Sequence, residues 1–188
     1  MKKLTVIMPV YNGELYIEDA INSLLNQTFS DFDLIVLNDN SADNTVAIID
    51  KLKANDDRII LINKTINEGP AHLRNEGIDL VQTEYIALLD ADDIAMPTRF
   101  EKQIQLLDSQ PNLALCGTWF TIFGDKKEKI LRHKVDHDAL KIQFLHSFGL
   151  GNSTVMFRTS MIGDLRFEDH YVPAEDYQLW SEVIAKHE

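Results

Sequence analysis

Apolar positions along the chain follow two alternating spacings. Leu4–Val10 (LTVIMPV) is a short apolar, β-branched run closed by Tyr11-Asn12-Gly13, which predicts a buried strand and then a turn. From Glu14 to Gln27 apolar residues recur at Ile17, Ala20, Ile21, Leu24 and Leu25, the spacing of a helix with one buried face. Asp33–Asn38 predicts a second strand, and Ser41 is read as the N-cap of a helix carrying Val46, Ile49 and Leu52. Ile59–Asn63 predicts a third strand. Gly69-Pro70 opens a helix through Gly77, with proline in the first turn, where its missing N–H is harmless. Tyr85–Leu89 predicts a fourth strand, ending on Asp90-Ala91-Asp92-Asp93. Thr98 and Glu101 have the spacing of a capping box for a helix to Asp108, and Leu113–Thr118 predicts a fifth strand.

Strands alternating with helices predict an α/β fold: a mainly parallel central sheet with helices on both faces. After Gly124 the pattern weakens. Lys126–Lys134 reads as a loop or hairpin, Asp138–Phe148 as a helix and Ser153–Phe157 as a strand. A last helix begins at Pro173-Ala174-Glu175-Asp176 and carries Leu179, Val183 and Ile184. The sequence stops inside that helix, as a piece cut from a longer protein would. The whole of 1–188 is read as one domain.

The 188 residues include 45% hydrophobic and 26% charged positions, which excludes a collagen-like, low-complexity or broadly disordered chain. The formal net charge of −12 argues against nucleic acid as a partner. An anionic substrate would need a metal cation or a local cluster of donors. Cys116 is the one cysteine, so neither an intrachain disulfide nor an all-cysteine zinc site can form. It sits in an apolar run and is read as an inert buried thiol of a reducing compartment. No apolar run approaches the ~18–20 residues that span a bilayer, and Met1-Lys2-Lys3 leads directly into the first strand. These features predict a cytoplasmic domain.

In a parallel α/β sheet, ligands bind beyond the carboxyl ends of the strands. The candidates are therefore Pro9-Val10-Tyr11-Asn12, Asn38-Asp39-Asn40-Ser41, Asn67-Glu68-Gly69 and Asp90-Ala91-Asp92-Asp93. The Gly-x-Gly-x-x-Gly of dinucleotide folds and the phosphate loop of P-loop enzymes are both missing. Asp90 and Asp92 stand two apart, so in extended chain they point the same way and repel unless a cation lies between them. A hard divalent ion such as Mg²⁺ suits that pair, although Asp92 and Asp93 could simply decorate a loop. Asp39 is either a turn residue or a hydrogen-bond acceptor for a base or ribose. Glu175 and Asp176 either complement a helix dipole or, for Asp176, act as a general base. Arg74 is either a surface charge or a nucleotide contact. Trp119 and Trp180 are read as packing residues, and His146 and His170 as structural or exposed.

Taken in order, these clusters resemble glycosyltransferase family 2, inverting enzymes of the GT-A fold. The matching pieces are Val6–Asn12, Ser23–Phe29, Asn38–Thr45, Asn67-Glu68-Gly69 with Arg74-Asn75, Leu88–Asp93 and Glu175–Trp180. The resemblance implies a Rossmann-like nucleotide-sugar-binding half over 1–120 and a smaller acceptor-side half over 121–188. It implies that Pro9, Val10, Tyr11 and Asn12 line the nucleotide pocket with Asn67, Gly69 and Ala91. Asp39 would bind the base, most often uracil, and Arg74 would sit near the base or diphosphate. Asp90 would contact the ribose side of the donor and ligate metal with Asp92, the ion being Mn²⁺ or Mg²⁺. Asp176 would be the catalytic base, with Glu175 beside it near the acceptor.

The implied activity moves a sugar from a nucleotide-diphosphate donor, a UDP-sugar, to a hydroxyl of a glycan or lipid-linked acceptor. Peripheral attachment at the inner face of the membrane fits such an acceptor. Two departures stand out. Many members carry Asp-Asp-Gly-Ser where this chain has Asn38-Asp39-Asn40-Ser41; Asn at position 40 tolerates left-handed backbone, so the turn can survive. The Gln-x-x-Arg-Trp signature of processive members is absent, which favours a non-processive enzyme. The rivals are a nucleotidyltransferase, a silent sugar-nucleotide-binding module and a phosphoacceptor domain. The first lacks its Gly-rich basic loop here, and the third its strand-end lysine.

Overall fold

In the computed structural model the described residues are 2–124, 127–147, 149–171 and 173–187. The first half follows the predicted alternation closely. Strand β1 is Leu4–Val10, helix α1 Ile17–Leu25, β2 Phe32–Asn38, α2 Thr45–Lys53, β3 Ile59–Asn63, α3 Pro70–Leu80, β4 Tyr85–Leu88 and α4 Arg99–Ser109. Next come β5 (Leu115–Cys116), the hairpin strands β6 (Phe120–Ile122) and β7 (Lys129–Leu131), and α5 (His137–Phe144). The chain then forms β8 (Met156–Arg158), a short α6 (Thr159–Ile162) and α7 (Glu175–Lys186).

Six strands form one sheet in the order β3-β2-β1-β4-β8-β5. The pairs β1–β2, β2–β3 and β1–β4 are parallel, while β8 runs antiparallel to both β4 and β5. The central β1 is buried along its whole length, because helices cover both faces. Its alternate residues serve two cores. Leu4, Val6 and Met8 pack with α1, α2 and α4, whereas Ile7 packs with α3 and α7. The helix changes face where the strand order reverses, at β1 and β4. That reversal opens the crevice at the carboxyl ends of the strands where ligands bind in open α/β sheets.

Several local expectations are corrected. Ser41 does not cap α2: the helix begins at Thr45, and the Ser41 hydroxyl instead accepts the Asn12 N–H at 2.9 Å. Thr98 and Glu101 form no capping box, because Glu101 accepts the Thr28 hydroxyl at 2.9 Å. The fifth strand shrinks to Leu115–Cys116 and pairs antiparallel with β8. The strand expected over Ser153–Phe157 slides to Met156–Arg158, since Asn152–Thr154 winds into a 3₁₀ turn. The hairpin after Gly124 is present, although Asp125 and Lys126 lie outside the described residues, as does Phe148 at the end of the predicted helix. Trp180 is buried, but Trp119 is 51% exposed, with Arg132 over its ring at 5.2 Å.

Helix α3 reaches β1 closely because Gly77 has no side chain. A Cβ there would lie 2.6 Å from the Cγ2 of Ile7, itself fully buried. Gly77→Val should therefore lower stability by about 1–3 kcal/mol through overpacking, read as a lower urea midpoint with unchanged slope.

Candidate active site

The loops after β1 and β2 are joined by their own polar residues. Asn12 and Asn40 both take left-handed backbone, with φ of 50° and 59°. Asparagine tolerates this region where most side chains do not, so the turn survives at position 40 without glycine. The Asn12 Oδ1 accepts the Ala42 N–H at 2.9 Å, and Thr45 Oγ1 accepts the Gly13 N–H at 2.8 Å. Glu14 crosses over to accept both the backbone and side-chain N–H of Asn44. Pro9 and Val10 are buried in β1, while Tyr11 stands 56% exposed at the mouth of the crevice. The Ala91 Cβ lies 3.9 Å from where a Gly13 Cβ would be, which brings the β1 loop against the acidic turn after β4.

Asp39 is buried at the end of β2. Its carboxylate accepts the N–H groups of Glu68 at 2.8 Å and Gly69 at 2.9 Å, one on each oxygen. Asn67 donates to the Asp39 carbonyl at 3.3 Å. Gly69 has φ of 87°, which only glycine adopts freely, and Pro70 follows as the first residue of α3. Asp39 thus fastens the loop that opens α3, a turn role with an unusual reach across the sheet.

The residues after β4 do not continue an extended strand. The Asp93 N–H returns to the Asp90 carbonyl at 3.1 Å, forming a turn. The extended-chain reason for pairing Asp90 with Asp92 therefore fails. Asp90 instead turns inward to Arg74, while Asp92 is exposed. Asp93 is half-buried. Burial raises its pKa above the usual carboxylate range; a Ser153 hydrogen bond opposes this, and Asp90 and Asp92 add to it. Three carboxylates within four residues offer oxygen donors only. That set suits a hard divalent cation, whose charge would relieve the repulsion recorded at Asp93.

Arg74, on α3, is buried and reaches both halves of the site. Its Nη2 donates to Asp90 Oδ1 at 2.7 Å and its Nη1 to Glu175 Oε1 at 3.0 Å. Burial alone would lower its pKa, but the two carboxylates outweigh it and hold the guanidinium charge firmly. Asp176, next to Glu175 in the first turn of α7, is half-buried and has a raised pKa. Burial is the main cause. The Tyr177 N–H, bonded at 2.7 Å, and Arg74 oppose it, while Glu175 and Asp90 add to it.

The structure brings Asp90, Arg74, Glu175 and Asp176 into one cluster and places Asp39, Asn67 and Gly69 in a second, along the β2–α3 loop. Sequence reasoning missed two supports. The Ser153 hydroxyl accepts the Asp90 N–H at 3.0 Å. Arg99, buried and with its pKa lowered to about 10 by that burial, donates to the carbonyls of Leu88 and Val155. It ties the ends of β4 and β8 beneath the acidic turn. Neither residue belongs to a local motif: Ser153 is brought there by the turn that precedes β8, and Arg99 by the start of α4. Among the described residues, Glu68, His72 and Glu76 also group their ligand atoms within 4.8 Å, but Lys64 already bridges both glutamates at 2.9 and 2.7 Å. Cys116 is buried as expected, its pKa raised to about 11 by desolvation.

A family model described as glycosyl transferase family 2 matches residues 5–167. The chain belongs to glycosyltransferase family 2. A family relative from Campylobacter jejuni, a GalNAc(5)-diNAcBac-PP-undecaprenol beta-1,3-glucosyltransferase, is 30% identical over 96% of this chain. This chain spans 59% of that relative's length. The fold is that of GT-A glycosyltransferases. S. aureus TarS 1–349, solved in complex with UDP-GlcNAc, superposes with a TM-score of 0.82 at 22% identity, covering 98% of this chain and 54% of that one. The mannosyltransferase PcManGT from Pyrobaculum calidifontis, solved with GDP-Man and Mn2+, gives 0.75 at 16% identity, covering 97% and 52%. Among the described residues no helix is long and apolar enough to cross a membrane.

Asp39→Asn should test the loop-fastening role. It replaces one of two charge-assisted acceptors by a donor facing an N–H, and should lower stability by about 1.5–3 kcal/mol, read by thermal unfolding without ligand.

Proposed function

We propose that this chain carries the catalytic site of an inverting, non-processive glycosyltransferase that moves a sugar from a UDP-sugar to a hydroxyl of a lipid-linked glycan. One observation carries the reading: Asp176, a half-buried carboxylate of raised pKa, joins the Asp90 turn through Arg74 and Glu175 at the carboxyl end of a family 2 sheet. The UDP-sugar donor is supported by the TarS complex, and the lipid-linked acceptor by the undecaprenol-linked substrate in the Campylobacter relative's name. Such an acceptor would bring the domain to the cytoplasmic face of a membrane as a peripheral protein.

In this reading Pro9, Val10, Tyr11 and Asn12 wall the nucleotide pocket, with Ala91 opposite and Asn67 and Gly69 along its edge. Asp39 shapes the base subsite through the loop it fastens. Asp176 accepts the proton of the acceptor hydroxyl as that oxygen attacks the anomeric carbon. Attack comes from the face opposite the leaving diphosphate, so configuration inverts. A raised pKa makes Asp176 a stronger base once ionised, and general-base help of this kind is worth ~10²–10⁴-fold. Mn²⁺ or Mg²⁺ would be held by Asp92 and Asp90, with Asp93 nearby, and when bound would offset negative charge on the diphosphate.

A thermal-shift series with UDP, GDP and their sugars, with and without Mn²⁺, tests donor and metal together. UDP with Mn²⁺ should raise the melting temperature most, and Asp92→Ala should remove the increment due to Mn²⁺. If no nucleoside diphosphate shifts the native protein, the donor assignment is wrong. Asp176→Asn should keep UDP binding and lose ~10²–10⁴-fold in transfer. The pH dependence has a definite sign: because the pKa of Asp176 is raised, transfer should fall on acidification at a pH above the ordinary carboxylate range, and should be flat above it. A normal rate for Asp176→Asn, or no acid limb, would remove Asp176 from the role.

A further inference from the structure

Family resemblance places Arg74 near the base or diphosphate, yet the geometry commits its side chain elsewhere. Nη1 and Nη2 are engaged by Glu175 and Asp90, which lie 101 and 16 residues away along the chain. The remaining nitrogen, Nε, is fully covered and has no hydrogen-bond partner, and the same holds for Glu175 Oε2. The Arg74 side chain as a whole is only 7% exposed.

Behind the guanidinium lies the Phe167 ring, with its centroid 5.5 Å away. The next residue on α3 pins that ring. Asn75 Oδ1 accepts the Phe167 N–H at 2.9 Å, and its amide donates to the Phe167 carbonyl at 2.8 Å. Phe167 in turn packs edge-on against Trp180 of α7 at 5.7 Å. Two consecutive residues of α3 therefore locate α7 twice, by charge at its first turn and by packing a little over one turn later.

We propose that Arg74 is a positioning residue: a brace joining Asp90 on the donor side to Glu175 on the acceptor side, which sets where Asp176 stands relative to the donor. The proposal rests on the reading of Asp176 as the base. Two carboxylates facing each other in a buried site would repel; the guanidinium between them converts that repulsion into a fixed spacing. A misplacement of about 1 Å in a reacting group can lower a rate ~10²-fold, so a brace acts on turnover rather than on affinity.

The test compares Arg74→Met, Glu175→Gln and the double variant, with UDP-glucose as donor and water as acceptor, following UDP release. UDP affinity is measured in parallel at saturating Mn²⁺. Arg74→Met should lower kcat ~10²-fold while UDP affinity moves less than about threefold. The double variant should be no slower than Arg74→Met, because both changes break one device. Equal losses in UDP affinity and kcat would make Arg74 a nucleotide ligand, and multiplying effects would break the link to Glu175; either overturns the proposal. Should Arg74→Met not fold, Arg74→Lys replaces it: a single ammonium lacks the planar two-nitrogen fork that spaces Asp90 from Glu175, so kcat should fall with UDP affinity kept. Amide exchange at Leu179 and Trp180 gives an activity-independent reading. It should quicken in the Arg74 variant, and unchanged protection would overturn the brace. A wild-type protein that binds no UDP and releases none overturns the donor reading alone, and the exchange result still decides the brace.

Discussion

Negative charge gathered at one end of a sheet is the constraint around which this domain is organised. The chain carries a net charge of −12, and the strand ends collect Asp39, Asp90, Asp92 and Asp93, with Glu175 and Asp176 brought in by α7. Each carboxylate is stabilised differently. Asp39 is held by two backbone N–H groups, and Asp90 and Glu175 share one guanidinium. Asp93 and Asp176 receive less compensation, and theirs are the raised pKa values. Perturbed carboxylates of this kind are candidates for chemistry rather than for structure alone.

Buried ion pairs contribute less to stability than their short distances suggest, because desolvation of both partners opposes the attraction. Specificity of position is the better account of Arg74. Its two ion pairs have a direction and a length, and the neighbouring Asn75–Phe167 contacts have too. Arg99 follows the same logic without a carboxylate partner, using carbonyls of two strands that local sequence keeps far apart.

The alternation of strands and helices up to α4 was legible because each unit is local: one apolar run, one turn, one amphipathic stretch. The left-handed Asn40 was legible for the same reason. What escaped was nonlocal. Ser41 has the chemistry of a cap, but the Asn12 N–H claimed its hydroxyl. Asp90 and Asp92 looked like a matched pair in an extended chain, but the backbone turns there and Asp90 pairs with Arg74. The short β5 and displaced β8 depend on pairing across the sheet, which no window of sequence contains. Candidate residues could be named from motifs; which carboxylate faces which cation required the fold.

The antiparallel β8 lies between β4 and β5 and follows the hairpin and α5 in the chain. A ribosome therefore releases the four parallel strands long before the strand that completes the sheet beside them. The acidic turn emerges early, yet Ser153, Val155 and Glu175, which orient it, follow some 60 to 85 residues later. Nascent protein would hold an unorganised cluster of carboxylates until α7 docks.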